Sequence, residues 1–146
     1  VPYVKPQRLA SNNLLRSRLK QANGGIIPDG HQAHHLVPDN VVQNSPIHQE
    51  AINRGLYDID RVSNGKLLAE TAEDYAPVSE AFPTHFGSHP NYDAQVIDAM
   101  NDILDIHNVL PSQVGSLSDA KLLEIIDDIE GSAVDILTDW IPSKLN

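Results

Sequence analysis

Hydrophobic residues near the start of this chain fall on one side of a predicted helix. Leu15 and Leu19 stand four positions apart among basic residues, and two glycines follow at residues 24–25. Side chains three or four positions apart share a helix face, and glycine commonly ends a helix. The pattern predicts a short basic amphipathic helix within residues 9–22.

Short stretches in the middle of the chain predict one more helix and two strands. Ser45 as N-cap and Pro46 at the first helical position predict a helix over residues 47–55. A brief half-apolar run at residues 33–38, closed by a proline, predicts a first strand, and residues 66–69 predict a second. Taken alone, the Asn-Gly pair before this second strand is typical of a tight hairpin turn.

Long apolar stripes occupy the C-terminal half of the chain. A helix is predicted from Pro90 until just before Pro111, because its apolar residues repeat with a period near 3.6. Ser118 is suited to cap a following helix. Gly131 predicts a break between that helix and a last one.

These elements define a helix-rich α+β domain with a small β-hairpin. Residues 1–110 are expected to form its main unit, and residues 111–146 an acidic helical extension packed on it. Charge is divided along the chain, since residues 1–75 carry eight basic and eight acidic side chains, whereas residues 76–146 carry two and twelve. The whole net charge of -10 therefore lies in the second part, which is expected to repel nucleic acid.

Composition narrows the class of protein further. Apolar residues make up 40% of the 146 residues, and no apolar run is long enough to span a bilayer, so one globular domain is expected. No secretory leader is recognisable at the start. Because the chain lacks cysteine, any transition-metal site has to be built from histidine and carboxylate side chains.

Histidines are the candidate functional residues, because five of the seven fall in two clusters. The first cluster contains His31, His34 and His35, and the second contains His85 and His89. Adjacent strand residues point to opposite faces, so His34 and His35 suit two different tasks, metal binding and proton transfer. A spacing of four brings His85 and His89 to one side of a helix or tight loop. Together with His34 they provide three neutral imidazoles, and three imidazoles around one metal ion leave a coordination position open for catalysis.

Three motifs, in this order, resemble those of a known family. They are Ala33-His34-His35, Asn64-Gly65, and the segment His-Phe-Gly-Ser-His-Pro-Asn-Tyr at residues 85–92. Over about residues 9–96 the chain resembles the AHH family, a nuclease branch of the HNH or His-Me finger superfamily. The resemblance implies a ββα-metal core, in which a β-hairpin and a helix hold one divalent cation.

The resemblance also implies a role for each site residue. It makes His35 the general base, Asn64 the residue that orients this base, and His34 a metal ligand. His89 and His85 would complete the metal site. The candidate substrate contacts are Tyr92, Arg61 and Lys66.

The function implied is that of an endonuclease that hydrolyses phosphodiester bonds with one divalent ion, Mg²⁺, Mn²⁺, Ni²⁺ or Zn²⁺. DNA without sequence preference is the expected substrate, ahead of RNA. AHH modules are known as toxic C-terminal domains of bacterial effectors, which implies action in the cytoplasm of a target cell and a cognate immunity protein. We expect basic residues of the first part to follow the phosphate backbone, and the acidic helices to pack behind the site or to contact a basic partner.

Two alternatives stay open on the sequence. One is a noncatalytic binding module whose histidines hold zinc in a closed structural site, so that removing the metal would unfold the domain. The other is a toxin domain that binds nucleic acid or protein without metal chemistry, and the paired histidines argue against it.

Overall fold

The computed structural model describes residues 9–11, 13–69 and 90–145, without the side chains of residues 69, 90 and 138–145. Its helices are α1 (Leu14–Ala22), α2 (Asp39–Gln43), α3 (Pro46–Asn53), α4 (Pro90–Ile106) and α5 (Asp119–Leu145). Its strands are β1 (His31–His35) and β2 (Gly65–Ala69), and 3₁₀ turns cover Val62–Asn64 and Pro111–Ser116. The prediction of a helix-rich α+β fold with a small β-hairpin is confirmed.

Local chemistry explains where the predicted helices begin and end. α1 starts at Leu14, later than predicted, and ends where Gly24 and Gly25 adopt φ values of 72° and 85°, which favour glycine. Ser45 caps α3, because its hydroxyl accepts the N–H of His48 at 3.3 Å. α4 has the predicted start, whereas α2 lies in a stretch for which the sequence predicted no helix.

The predicted break at Gly131 is wrong, because α5 continues through this residue. Ile129 and Leu137 lie on either side and are both buried, so one apolar face runs past the glycine. A glycine inside a helix costs only about 1 kcal/mol relative to alanine, and burial of this face outweighs that cost. The start of α5 is capped as predicted, since the N–H of Lys121 donates to Ser118 Oγ at 3.1 Å.

α5 packs against α3 and α4 and supplies the centre of the core. Its residues Leu122, Ile125 and Ile126 are fully buried and belong to one cluster with Ile47 of α3 and Leu68 of β2. The acidic C-terminal part therefore shares a core with β2 and with α2, α3 and α4. Of the helices that the model describes, none is long and apolar enough to cross a membrane.

The two strands pair antiparallel, with His35 opposite Gly65 and His34 opposite Lys66. Residues 36–64 connect them and contain α2 and α3. The prediction of a tight hairpin turn at the Asn-Gly pair is therefore wrong, because the asparagine ends a 3₁₀ turn and the glycine begins β2. A Cβ on Gly65 would lie 2.6 Å from Leu15 Cδ1, so the absence of a side chain here lets the leucines of α1 pack closely on the strand.

Asn64 joins the two ends of this connection. Its side-chain oxygen accepts the N–H of Val37 at 2.8 Å, and its amide group donates to the carbonyls of Val37 and Ile59 at 3.2 and 3.0 Å. Its own carbonyl accepts the N–H of Leu36 at 2.8 Å. The side chain is fully buried, so water cannot replace these partners. Asn64 thus holds the exit of β1 against the entry of β2.

Replacing Asn64 by alanine should therefore destabilise the fold. Three buried hydrogen bonds would be lost, and at about 1 kcal/mol each the free energy of unfolding should fall by about 3 kcal/mol. Urea unfolding measures this change. Asn53→Ala is the matched control, because Asn53 is exposed at the end of α3. Equal effects of the two substitutions would contradict the role given to Asn64.

His48 belongs to α3, and its side chain is fully buried. Its Nδ1 is 2.6 Å from Ser45 Oγ, and its ring packs edge-on against Tyr57 with the ring centroids 5.0 Å apart. Burial, and after it the positive charge of Arg61, lower the pKa of His48 to about 4. The folded protein therefore holds this side chain neutral at pH 7.

The lowered pKa of His48 predicts acid destabilisation. Protonation favours the unfolded chain, so this contribution to stability is complete above about pH 6.5 and is lost as the pH falls toward 4, a change of about 3 kcal/mol. Urea unfolding at several pH values between 7 and 4 should show this fall. In His48→Gln the fall should be smaller by about that amount. An identical pH dependence in both proteins would contradict the prediction.

Candidate active site

The paired histidines lie at the end of β1. His35 shares a face of the hairpin with its partner Gly65, and α1 covers that face through Leu15. His34 and its partner Lys66 belong to the opposite face. The two histidines therefore have different surroundings, although they are adjacent in the chain.

His35 is held by a buried carboxylate. Its Nε2 lies 2.8 Å from Asp60 Oδ1, and Asp60 Oδ2 accepts the N–H of Ser11 at 2.8 Å. The side chain of Asp60 is 1% exposed, whereas that of His35 is 19% exposed. No partner for Nδ1 of His35 is found in the described part of the chain. The imidazole is thus fixed at one nitrogen, and its other nitrogen remains available for proton transfer.

Sequence reasoning missed Asp60, which stands 25 positions after His35. Its backbone N–H donates to Asp58 Oδ1 at 2.8 Å, and Asp58 in turn pairs with Arg18 of α1 at 2.8 Å. Burial raises the pKa of Asp58, but hydrogen bonds from Arg18 and from the N–H of Asp60 more than offset this, so the pKa lies below its usual value. This local arrangement, together with Asn64, shapes the turn that presents Asp60.

Asn64 directs its amide toward backbone groups and not toward the imidazole. Its described hydrogen bonds go to Val37 and Ile59, the second of which precedes Asp60. Any influence of Asn64 on His35 therefore passes through the backbone, either at residues 36–37 directly after the histidine or at Ile59 directly before Asp60. The orienting role predicted for Asn64 stays a prediction, and the structure supplies Asp60 as the direct partner.

The predicted metal ligands are only partly described. His34 is half-buried on β1, whereas His85 and His89 lie outside the described residues. Within residues 9–11, 13–69 and 90–145, no group of three His, Asp or Glu side chains is arranged to hold a metal ion. The metal-site prediction therefore stays a prediction.

Two of the predicted substrate contacts have partners inside the protein. Tyr92 is 3% exposed, and its hydroxyl donates to the carbonyl of Leu36 at 2.6 Å. Burial, and after it the charge of Asp93, raise the pKa of Tyr92. This hydrogen bond fixes the start of α4 at the end of β1, so the two elements that flank the predicted site are tied together.

Arg61 points toward α5. Its guanidinium donates to Glu130 at 2.9 and 2.7 Å and to Asp127 at 2.9 Å. It also lies 4.9 Å from the centroid of the Tyr57 ring. Arg61 therefore serves the packing of α5, and of the three predicted contacts Lys66 is the one that is exposed.

The family comparison agrees with the paired histidines. A family model for AHH, described as a nuclease family of the HNH/ENDO VII superfamily with conserved AHH, matches residues 15–129. No curated protein and no solved structure gives a significant match. Because the family model covers well over half of the chain, the chain belongs to the AHH nuclease family. It is a phosphodiester hydrolase, and its substrate is nucleic acid.

The family match covers more of the C-terminal part of the chain than the motifs do. It continues past α4 into α5, whereas the resemblance of the motifs reached only about residue 96. The family therefore includes the part of α5 that carries Leu122, Ile125 and Ile126. This agrees with the contribution of that helix to the core.

Proposed function

We propose that this chain is a metal-dependent endonuclease in which His35 is the general base and Asp60 is its positioning residue. The observation that carries the proposal is the 2.8 Å contact between His35 Nε2 and a carboxylate that is 1% exposed, in a chain of a nuclease family. A buried carboxylate of this kind fixes the ring and stabilises the imidazolium that forms when the other nitrogen takes a proton.

The chemistry follows from this pair. His35 Nδ1 accepts a proton from a water molecule as the water oxygen bonds to the scissile phosphorus. The bond from phosphorus to the 3′ oxygen breaks, and the released oxygen takes a proton from solvent. The products are a 5′-phosphate and a 3′-hydroxyl. His35 then returns its proton to solvent.

HNH/ENDO VII nucleases generally use a divalent metal, and His34, His89 and His85 are the proposed ligands here. When bound, the metal supplies Lewis-acid stabilisation of the charge that grows on the phosphate oxygens. Three imidazoles suit an ion such as Zn²⁺ or Ni²⁺, whereas Mg²⁺ prefers oxygen ligands.

We further propose DNA, cut without sequence preference, as the substrate ahead of RNA. The module would be the toxic C-terminal part of a larger secreted bacterial protein that acts in the cytoplasm of a target cell, with a cognate immunity protein as inhibitor. Support comes from the resemblance to AHH toxin modules. The acidic helices α4 and α5 offer a surface for a basic partner.

Metal dependence can be separated from metal-dependent folding. Plasmid cleavage should require Mg²⁺, Mn²⁺, Ni²⁺ or Zn²⁺ and should stop in EDTA, while the thermal midpoint in EDTA changes little because one hydrophobic core joins α2, α3, α4, α5 and β2. His34→Ala should lose cleavage with every ion, whereas Gln32→Ala, two positions away on the same strand face, should retain it. Unfolding of the protein in EDTA would support a structural zinc site instead.

The role of Asp60 can be tested against a matched pair elsewhere. His35→Ala should lower kcat by about 10²- to 10⁴-fold, the range typical for loss of a general base. Asp60→Asn should lower kcat at every pH tested with little effect on KM, because the imidazole loses the carboxylate that fixes it. His107 and Asp128 form the same 2.8 Å contact on the surface.

Asp128→Asn should therefore leave both kcat and the pH-rate profile unchanged. If Asp60→Asn behaved like Asp128→Asn while the wild type cut DNA, the positioning role of Asp60 would be wrong. If His35→Ala also cut DNA normally, the general base would lie elsewhere.

A further inference from the structure

The described basic side chains form two groups that differ in their ion pairs. Four of them are paired with carboxylates: Arg18 with Asp58, Arg54 with Glu50 and Asp119, Arg61 with Asp127 and Glu130, and Lys121 with Glu124. Arg16, Lys20 and Lys66 are exposed and form no ion pair within the described ranges. Among the described side chains, these three therefore carry the positive charge that no carboxylate compensates.

All three lie on elements that contact β1, the strand of the paired histidines. Arg16 and Lys20 stand one turn apart on α1, the helix that covers the face of His35. Lys66 lies opposite His34, on the other face of the hairpin. The three cations thus flank the two histidines from both sides of the hairpin.

The C-terminal helices have the opposite charge. Residues 90–145 carry eleven acidic and two basic side chains, whereas residues 9–38 carry one acidic and three basic ones. A polyanion is repelled from α4 and α5 and attracted to α1 and the hairpin. Arg54 and Arg61 are already paired with carboxylates of α5. They add no net attraction for a phosphate, because binding would first have to break these ion pairs.

We propose that Arg16, Lys20 and Lys66 are the residues that hold the phosphate backbone of the nucleic acid at this site. The inference rests on the proposed nuclease chemistry of His35 and assigns the substrate surface to it. The contact reads charge and not base identity, because exposed lysine and arginine side chains that meet phosphates carry no sequence information. In this assignment Arg61 and Tyr92 support the fold, and two residues of α1 take up the contact.

The test measures binding without cleavage. A fluorescently labelled DNA duplex of about 20 base pairs, matched by a single strand and by an RNA duplex, is titrated with the full chain in EDTA at several KCl concentrations. Arg16→Gln together with Lys20→Gln should weaken binding and reduce the slope of log K against log salt by about 1.8, since each lost phosphate contact on duplex DNA contributes about 0.9. Lys66→Gln should reduce the slope by about 0.9.

A charge-matched control excludes a general effect of net charge. Asn101→Asp together with Ser112→Asp makes the protein more negative by the same two charges, but at exposed positions of α4 and the following 3₁₀ turn. Its slope should equal that of the wild type. Circular dichroism of each variant should match the wild type, because glutamine is as good a helix former as lysine or arginine.

The outcomes separate this inference from the proposed function. If the wild type cuts DNA and the α1 variant keeps the wild-type slope, the phosphate contact lies elsewhere and the assignment is overturned. Equal loss of affinity in the α1 variant and in the charge-matched control would overturn it too. If the wild type neither binds nor cuts DNA or RNA, both the proposed function and this inference fail.

Discussion

The buried amide of Asn64 is the contact on which the site depends. The strands that carry the candidate residues are separated by residues 36–64, and Asn64 closes this connection by bonding Val37 on one side and Ile59 on the other. The same closure presents Asp60 to His35. A residue whose side chain never reaches the imidazole thereby determines what surrounds it.

Local sequence patterns were enough to predict the strand that carries the paired histidines and several elements around it. The paired histidines lie on a strand, β2 follows the Asn-Gly pair, and α3 and α4 begin at the prolines that marked them. Each of these features depends on a few neighbouring residues, such as the Ser45 cap or the fixed φ of proline. The family assignment rested on such short motifs and is confirmed by the family match.

Contacts between distant residues were beyond local reasoning. Asp60 has no signature in its own neighbourhood, since its role comes from a histidine 25 positions earlier. Arg61 was predicted to contact substrate, but its guanidinium is paired with Glu130, which stands 69 positions later. Gly131 predicted a break because its neighbours in sequence do not reveal the core against which α5 packs on both sides of this residue. In each case a distant partner outweighed the local signal.

The connection between the two strands has a consequence for how activity arises. Pairing β1 with β2 encloses α2 and α3, so the unfolded chain must lose the entropy of closing a long loop before the strands meet. Contacts of this kind form slowly compared with local helices. His35 and Asp60 therefore meet only when the enclosed helices are in place. A chain that has not finished folding carries both histidines but lacks the carboxylate contact of His35, so this contact marks the completed domain.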